Sequence, residues 1–128
     1  MALSSEEELA LAQMMAGEAE GEPLLGKRAV LHVALNRVGH PLIRHRHGIL
    51  DVMKEFDGYR RETSALAQAE ALDILRAEMR EDREDPTNGA IFFENPDVAT
   101  SGWFIRNIRN SDKYTSVRIG NHVFYAPK

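Results

Sequence analysis

The feature that most constrains the fold is a change of hydrophobic pattern at Pro86. Before this residue, apolar side chains recur at the three-to-four-residue spacing of helices, and after it short β-prone segments alternate with turns. The 128 residues suffice for one domain of ordinary size and contain no internal repeat or flexible linker. We therefore predict a single α+β domain over residues 1–128, mainly helical in its first two-thirds, with a small antiparallel sheet or hairpin near the C-terminus.

Helical spacing before Pro86 predicts four helices, over residues 6–20, 25–38 and 49–56 and from residue 65 to the acidic run that ends at Asp85. Ser5 and Glu8 form a capping-box pattern for the first helix, and Ser64 is the predicted N-cap of the fourth. The second helix is apolar on more than one face and is therefore expected to be central. The predicted apolar stripe of the fourth helix consists of Leu66, Ala69, Leu72, Leu75 and Met79.

Beyond Pro86, three short segments are predicted as strands, over residues 90–93, 115–119 and 122–125. The last two are separated only by Gly120 and Asn121. A two-residue connection with glycine suits a tight hairpin turn, because glycine tolerates a positive φ. We therefore expect a hairpin at the C-terminal end of the chain.

Composition excludes several kinds of chemistry. The chain has no cysteine, which rules out disulfides, a thiolate nucleophile and a cysteine zinc site. His40, His45 and His47 lie close together in sequence, but arginines separate the last two histidines from their neighbours, and we interpret the segment as a basic surface loop rather than a metal site. We expect neither a metal nor a cofactor.

The N-terminal residues and the apolar runs bear on targeting. Residues 1–8 are acidic and lack the apolar segment of a secretory signal, so we expect no signal peptide. The longest apolar runs, residues 9–12 and 90–93, are far shorter than the ~20 residues that cross a bilayer, so we expect no membrane insertion.

Glu18 is the carboxylate whose position calls for an explanation. At 100° per residue it continues the arc of Leu11, Met14 and Met15 on the apolar side of the first helix. Burial beside methionine disfavours the charged form of a carboxyl group and keeps a proton available for general-acid chemistry. We also expect the glycines at 17 and 21 to leave open space for a substrate on either side. The alternative is a helix-end glutamate that pairs with a nearby arginine.

Two ordered blocks of residues carry a resemblance to a known family. The first comprises residues 17–23 (GEAEGEP) and 35–38 (LNRV), and the second comprises residues 85–90 (DPTNGA), 93–97 (FENPD) and 119–125 (IGNHVFY). They resemble the motifs GEARGEP, LNRV, DPTxGA, FxNPD and IGxHxFY of the SleB-like cell wall hydrolases. The resemblance covers residues 9 to 125. The sequence differs from the family pattern at Glu20, His32 and Glu94, and it matches the pattern least well around residues 55–58 (EFDG).

This resemblance implies a lysozyme-like fold and cleavage of the peptidoglycan glycan strand between N-acetylmuramic acid and N-acetylglucosamine. It also implies that Glu18 is the catalytic acid, the residue that helical geometry indicates independently. Protonated Glu18 would donate to the leaving glycosidic oxygen and then act as a base. A base that activates the C6 hydroxyl of muramic acid gives the 1,6-anhydro product of a lytic transglycosylase, and one that activates water gives a muramidase.

Four further residues are predicted to contact the substrate, namely Glu22, Phe56, Glu94 and Tyr125. The family motifs place the counterparts of Phe56 and Tyr125 near the active site, where aromatic rings stack on sugars. Glu22 is assigned a supporting role or a hydrogen bond to a sugar, with a surface acid that ends the first helix as the alternative. Glu94 or Asp57 would supply a second carboxylate if hydrolysis needs one, with an exposed acid on a strand or loop as the alternative.

Charge distribution keeps two rival functions open. The net charge is −4, but basic residues dominate after residue 100, as in a nucleic-acid-binding module whose arginines neutralise phosphates. The net acidity and the lack of a basic recognition helix argue against nucleic acid. The other rival is a noncatalytic peptidoglycan-binding or virion structural protein of the same fold, against which the placement of Glu18 argues. We expect a monomer that acts on the bacterial cell wall, with a phage or phage-like lysis or virion-delivered protein as the hypothesis for its delivery.

Overall fold

The computed structural model describes residues 2–43 and 48–128. Within these ranges the helices are α1 (Ser5–Ala19), α2 (Leu24–Arg37), α3 (Ile49–Met53), α4 (Ala65–Glu81) and α5 (Gly102–Phe104). A 3₁₀ turn at Asp57–Arg60 precedes α4, and a π-helical turn at Ile105–Arg109 continues α5. The strands are β1 (Phe92–Glu94), β2 (Tyr114–Ile119) and β3 (His122–Pro127). The predicted mainly helical chain with a small C-terminal sheet is confirmed.

The capping box of α1 lies one residue before the predicted one. The Ser4 hydroxyl accepts a hydrogen bond from the Glu7 N–H at 3.1 Å, and the Glu7 carboxylate accepts one from the Ser4 N–H at 2.9 Å. The predicted pair of Ser5 and Glu8 is therefore wrong by one position, because Ser4 has the extended backbone of an N-cap and Ser5 is already helical. The end of α1 before Gly21, whose φ is 85°, is as predicted.

α2 begins and ends one residue before the predicted bounds and, as expected, is central. It packs against α1, α3, α4 and the sheet, and Ala29, Val30 and Val33 are fully buried. Near its end, the Asn36 amide donates to a carboxylate oxygen of Asp85 at 2.8 Å and to the Ala90 carbonyl at 3.0 Å. These bonds attach the segment before the sheet to the helical layer.

The stripe that α4 buries differs from the predicted one. Ser64 caps the helix as predicted, accepting from the Ala67 N–H at 3.1 Å. The buried side chains are those of Ala71, Leu75 and Glu78, spaced four and three residues apart. Leu66 and Ala69 lie off this line, so both face solvent, and Leu66 is 79% exposed. Leu72 and Met79 pack against the core as predicted.

The sheet is antiparallel with strand order β1-β3-β2. Ile119 pairs with His122 across the predicted two-residue connection, and Gly120 has a φ of 61°. The hairpin is therefore confirmed, although β3 runs two residues further than predicted. β1 begins two residues later than predicted, at Phe92, and its Phe93 pairs with Phe124 of β3.

Hydrophobic side chains from α1, α2, α3, α4 and the sheet form one cluster. Its fully buried members include Leu11, Met14, Leu31, Leu75 and Phe124. The sequence analysis assigned no element to the helical segment 102–109, whose single fully covered side chain is that of Ile108. Within residues 2–43 and 48–128, no helix combines the length and apolar character that a membrane span needs.

Candidate active site

A cleft of about 590 Å³ lies between the end of α1, the 3₁₀ turn and the sheet. Residues 98–101 and Phe104 form part of its wall. The carboxylates that line it are those of Glu18, Glu20, Glu22, Glu55, Asp57 and Glu94. The cationic side chains that line it are those of Arg37 and Arg61. An acidic groove of this size can hold sugar rings, which carry hydroxyl and amide donors.

Glu18 lies in the last turn of α1 and is half-buried. Leu11, Met14 and Met15 on the same arc are buried, so the predicted apolar face is confirmed and Glu18 lies where that face meets the cleft. Glu18 Oε1 accepts a hydrogen bond from the Gly58 N–H at 2.7 Å. In the described part of the chain, Oε2 of the same carboxylate has no hydrogen-bond partner and no arginine forms an ion pair with Glu18. One oxygen is thus fixed by the backbone and the other is available to a ligand.

The two backbones meet closely at Gly17 and Gly58. A Cβ on Gly17 would lie 1.8 Å from the Gly58 carbonyl oxygen, and a Cβ on Gly58 would lie 2.5 Å from Glu18 Cγ. The expectation that Gly17 leaves open space for a substrate is therefore wrong, because the 3₁₀ turn occupies that space. At Gly21 no atom of the described residues lies within 4 Å of the Cβ position, but Gly21 does not line the cleft, so open space for a substrate there stays a prediction.

Side chains reinforce this contact between α1 and the 3₁₀ turn. Gln13 donates from Nε2 to the Tyr59 carbonyl at 2.7 Å, and Arg61 donates from Nη1 to the Gly17 carbonyl at 2.9 Å. The Arg61 bond also satisfies a carbonyl at the open C-terminal end of α1. Together with the Gly58 bond, these contacts fix the carboxylate relative to the cleft.

Glu22 connects the helical layer to the hairpin. Its oxygens accept from the Asn121 N–H at 2.8 Å and from Asn121 Nδ2 at 2.9 Å, and the residue is only 8% exposed. The alternative of a surface acid is therefore wrong, and a supporting role in the site stays a prediction. A hydrogen bond from Glu22 to a sugar stays a prediction, although Glu22 does line the cleft.

Glu94 lies at the centre of a buried polar network. Arg109 donates to its two oxygens at 2.8 and 2.6 Å, the Tyr125 hydroxyl donates at 2.6 Å and the Thr100 hydroxyl at 3.0 Å. The alternative of an exposed acid is wrong for Glu94, which is 7% exposed because these donors cover it. The same alternative is correct for Asp57, because its side chain is 94% exposed at the edge of the cleft.

This network determines the protonation of both of its titratable members. The Arg109 hydrogen bonds, with help from Tyr125 and Thr100, outweigh burial and lower the pKa of Glu94 to about 2. Burial, together with the bond to Glu94, raises the pKa of Tyr125 to about 12. Glu94 is thus an anion at neutral pH and has no proton to give to a leaving group. Its contacts also hold the 98–104 segment, part of the cleft wall, against the sheet.

Tyr125 does not lie on the cleft surface as predicted. Its ring is 5% exposed, its hydroxyl is bonded to Glu94, and Phe104 packs edge-on against it with ring centroids 5.7 Å apart. Phe104 instead lines the cleft. Tyr125 therefore supports the cleft wall from behind, and direct stacking on a sugar does not fit its burial.

Phe56 lines the cleft as predicted but is almost wholly covered. It is 4% exposed, it stacks on Phe93 at 6.1 Å, and the Arg37 guanidinium lies 4.3 Å from its ring centroid. Arg37 also donates from Nε to the Ile91 carbonyl at 2.7 Å. Burial lowers the pKa of Arg37, and the carboxylates of Glu55 and Glu18 act in the opposite direction. Arg37 thus brings a fixed positive charge to the acidic cleft.

The sequence analysis assigned no site role to Arg37 or His122, although both line the cleft. Arg37 belongs to the LNRV motif and His122 to the IGNHVFY motif, so the signal was present in the resemblance. The contribution of the 98–104 segment had no such signal. Where the chain is described, no group of three or more His, Asp or Glu side chains is arranged to hold a metal ion, and His45 and His47 lie outside the described residues.

A mainly helical domain with a glutamate at a helix end, facing a cleft beside a small antiparallel sheet, defines the lysozyme-like class of proteins. The chain belongs to the Cell Wall Hydrolase family, whose model matches residues 21–125. The predicted SleB-like family is therefore confirmed. The match begins after Glu18, so the assignment of that residue depends on the motif and the geometry.

Relatives of known name and structure agree with this family. A spore cortex-lytic enzyme of Halalkalibacterium halodurans is 35% identical over 120 residues, which are 89% of this chain and 33% of that protein. The catalytic domain of the germination-specific lytic transglycosylase SleB from Bacillus anthracis superposes with a TM-score of 0.68 at 30% identity, covering 96% of each chain. The catalytic domain of the Bacillus cereus SleB protein has a TM-score of 0.59 at 26% identity, covering 97% of this chain and 92% of that one. The chain thus spans about a third of the curated relative and nearly all of the solved catalytic domains.

Proposed function

We propose that this protein is a lytic transglycosylase that cleaves the peptidoglycan glycan strand between N-acetylmuramic acid and N-acetylglucosamine, with Glu18 as the catalytic acid. The observation that carries the proposal is the placement of Glu18, with one oxygen fixed by the Gly58 N–H and the other available within the cleft. The family supports a wall polysaccharide as the substrate, and the neighbouring structure named as a lytic transglycosylase supports the reaction type.

The proposed reaction begins with transfer of the Glu18 proton and cleavage of the glycosidic bond. The C1–O bond of the muramic residue breaks, its electron pair goes to the leaving oxygen, and that oxygen takes the proton of Glu18. The C6 hydroxyl of the same residue then attacks C1 and gives up its own proton to a base. The product is a 1,6-anhydro sugar, and no water is consumed.

The other cleft carboxylates support a single acid. Glu94 is an anion through its bonds to Arg109, and both oxygens of Glu22 accept from Asn121. The positive charge of Arg37 partly offsets the negative potential of the cleft. Glu18 is thereby distinguished from Glu22 and Glu94.

The direct test is Glu18→Gln. Because the amide keeps the shape of the side chain but has no acid proton to give, we expect the variant to fold and to lose ~100–10,000-fold of the rate of muropeptide release from purified peptidoglycan. Glu62→Gln, an exposed acid outside the cleft lining, is the matched control and should retain full activity. Equal rates for Glu18→Gln and the parent protein would contradict the assignment.

Mass spectrometry of the products separates the possible outcomes. Anhydro-muramic ends support the transglycosylase, reducing muramic ends indicate a muramidase, and reducing glucosamine ends indicate cleavage of another bond. Binding to peptidoglycan without products would favour the noncatalytic alternative. Spore cortex and vegetative wall should be compared as substrates, because the curated relatives are named as spore cortex-lytic enzymes.

Several finer expectations stay predictions. The monomeric state is tested by light scattering, and the absence of nucleic-acid binding by a gel-shift assay at low salt. The phage or virion delivery expected from the sequence has no support among the relatives, which are named as spore cortex-lytic enzymes and SleB, and it is not part of the proposal.

A further inference from the structure

The loop that follows β1, residues 95–101, forms one wall of the cleft and carries side chains that the proposed reaction does not use. Asn95, Val98 and Ala99 of this 95–101 loop all line the cleft. The loop is anchored at Thr100, whose hydroxyl donates to buried Glu94 at 3.0 Å. These side chains are therefore presented to the cleft from a backbone that is held in place.

The side-chain amide of Asn95 has one end occupied and the other end available. Its Oδ1 accepts a hydrogen bond from the Asp97 N–H at 3.0 Å. Because only the oxygen can accept this N–H, the bond also determines where the amide nitrogen lies. Nδ2 makes no hydrogen bond to residues 2–43 or 48–128, and it is not among their buried atoms that lack a partner. Asn95 thus brings an accessible N–H donor to the cleft.

Ser101 at the other end of the 95–101 loop shows the same arrangement. Its Oγ accepts from the Phe104 N–H at 3.2 Å, and its hydroxyl hydrogen has no acceptor in the described part of the chain. Asn95 and Ser101 therefore use their acceptor atoms in turns of their own backbone and keep their donors for a ligand. The loop supplies neutral donors to a cleft whose other charged lining is mostly carboxylate.

Apolar side chains lie beside the Asn95 donor. The Val98 N–H donates to the Asn95 backbone carbonyl at 3.1 Å, so one turn carries both side chains. Val98 is 62% exposed, and Ala99 is also exposed. An acetamido group matches this surface, because its carbonyl oxygen accepts hydrogen bonds and its methyl group is apolar. A sugar hydroxyl can also accept from Nδ2, but it brings no methyl group to Val98 and Ala99.

We propose that the 95–101 loop recognises an N-acetyl group of the glycan strand and that Asn95 is the specificity-determining residue. Asn95 donates from Nδ2 to the acetyl carbonyl oxygen, and Val98 and Ala99 contact the methyl group. This inference depends on the proposed function and deepens it, because it assigns the part of the substrate that this wall of the cleft selects. It changes nothing in the chemistry at Glu18.

The test measures binding of soluble peptidoglycan glycan fragments before and after chemical removal of their N-acetyl groups. The protein carries Glu18→Gln, so that the fragments are bound without being cleaved. Adding Asn95→Ser removes the amide donor, while the serine hydroxyl can still accept the Asp97 N–H and no charge changes. We expect the Kd for N-acetylated fragments to rise by ~3–10-fold and the Kd for de-N-acetylated fragments to change by less than ~2-fold.

A merely structural role of Asn95 would give a different result. If the residue only shaped the turn, Asn95→Ser would weaken binding of both kinds of fragment equally, and that outcome would overturn the inference. No weakening with either kind of fragment would overturn it as well. Chemical re-acetylation of the fragments should restore the difference between the two proteins.

Two further variants sharpen the comparison. Asn95→Asp keeps the acceptor for the Asp97 N–H but replaces the donor by a carboxylate. It should weaken binding of N-acetylated fragments and strengthen binding of de-N-acetylated ones, whose free amines are protonated. Asn110→Ser makes the same exchange as Asn95→Ser at an exposed residue outside the cleft lining, and it should leave both Kd values unchanged.

Nuclear magnetic resonance gives a readout that needs no change at Asn95. The side-chain amide signals of Asn95 should shift when N-acetylated fragments are added, and signals that stay in place at saturation would contradict the inference. Failure of the wild-type chain to release muropeptides would contradict the proposed function itself. The binding comparison would still decide the role of Asn95, because it does not depend on turnover.

Discussion

Glu18 is half-buried and Glu94 is buried, and both line the same cleft. They differ in their hydrogen-bond partners. Glu18 accepts one backbone N–H and keeps an oxygen available to a ligand. Glu94 accepts from the side chains of Arg109, Tyr125 and Thr100, all inside the protein. Of these two carboxylates, one is therefore the proposed catalytic acid and the other is a fixed part of the cleft wall.

The Glu94 network predicts a pH-dependent contribution to stability. Because the pKa of Glu94 is lowered from 4.5 to about 2, its ionic bonds stabilise the folded state above pH 4.5, and this contribution is lost as the pH falls towards 2. We expect Glu94→Gln to lower the free energy of unfolding at pH 7 by ~1–3 kcal/mol. The deficit relative to the wild type should shrink between pH 4.5 and pH 2.

Urea unfolding at a series of pH values checks this expectation, with Glu62→Gln as the exposed control. Since other carboxylates also titrate in this range, the quantity to compare is the difference between variant and wild type at each pH. A deficit that is constant from pH 7 to pH 2 would show that the lost interaction does not depend on ionised Glu94.

At the scale of elements, the contact between α1 and the 3₁₀ turn positions the candidate acid. The turn approaches α1 so closely that Gly17 and Gly58 leave no room for a side chain on either backbone. The same approach brings the Gly58 N–H to Glu18. The packing of the 3₁₀ turn against α1 therefore also orients the Glu18 carboxylate.

Gly58→Ala should disturb that contact. Its Cβ would lie 2.5 Å from Glu18 Cγ and 2.6 Å from the Glu18 backbone nitrogen, so the turn must move away from α1. We expect a loss of ~1–3 kcal/mol in the free energy of unfolding. Muropeptide release should fall by more than that loss of folded protein explains, because Glu18 loses its orienting bond.

Gly48→Ala is the matched control. Its φ is −180°, which any residue adopts, and no atom of residues 2–43 or 48–128 lies within 4 Å of the added Cβ. Its stability and activity should be close to those of the wild type in the same unfolding and release assays. Equal behaviour of the two alanine variants would show that the close approach at Gly58 is not required.

At the scale of the whole molecule, one hydrophobic cluster joins the helices to the sheet. α4 contributes to it through only part of the predicted stripe, because Leu66 and Ala69 face solvent. Leu66 and Leu75 both belong to the predicted stripe, but Leu66 is 79% exposed and Leu75 is fully buried. Membership of a periodic stripe therefore does not by itself determine burial.

This difference gives a paired prediction for stability. Leu75→Ala should lower the free energy of unfolding by ~2–5 kcal/mol, because it leaves a cavity in the core. Leu66→Ala should change it by no more than ~0.5 kcal/mol, since the side chain is already in solvent. Chemical denaturation of the two variants checks the pair, and a large effect of Leu66→Ala would indicate that this leucine is covered in solution.

The sequence by itself determined the elements whose signals are local. Helical periodicity located α1, α2 and α4, glycine in a two-residue connection located the hairpin, and the apolar arc of α1 identified Glu18. These features depend on residues a few positions apart, which a linear pattern contains. The motif resemblance added the family, which the matching model confirms.

Only the tertiary structure decided what the remaining site residues contact. Glu22 is bonded to Asn121, 99 positions away, and Glu94 to Tyr125, 31 positions away. Gly17 meets a turn that is distant in sequence, so its space is filled. Such contacts depend on how whole elements pack against one another, and neither hydrophobic spacing nor local propensity specifies that arrangement.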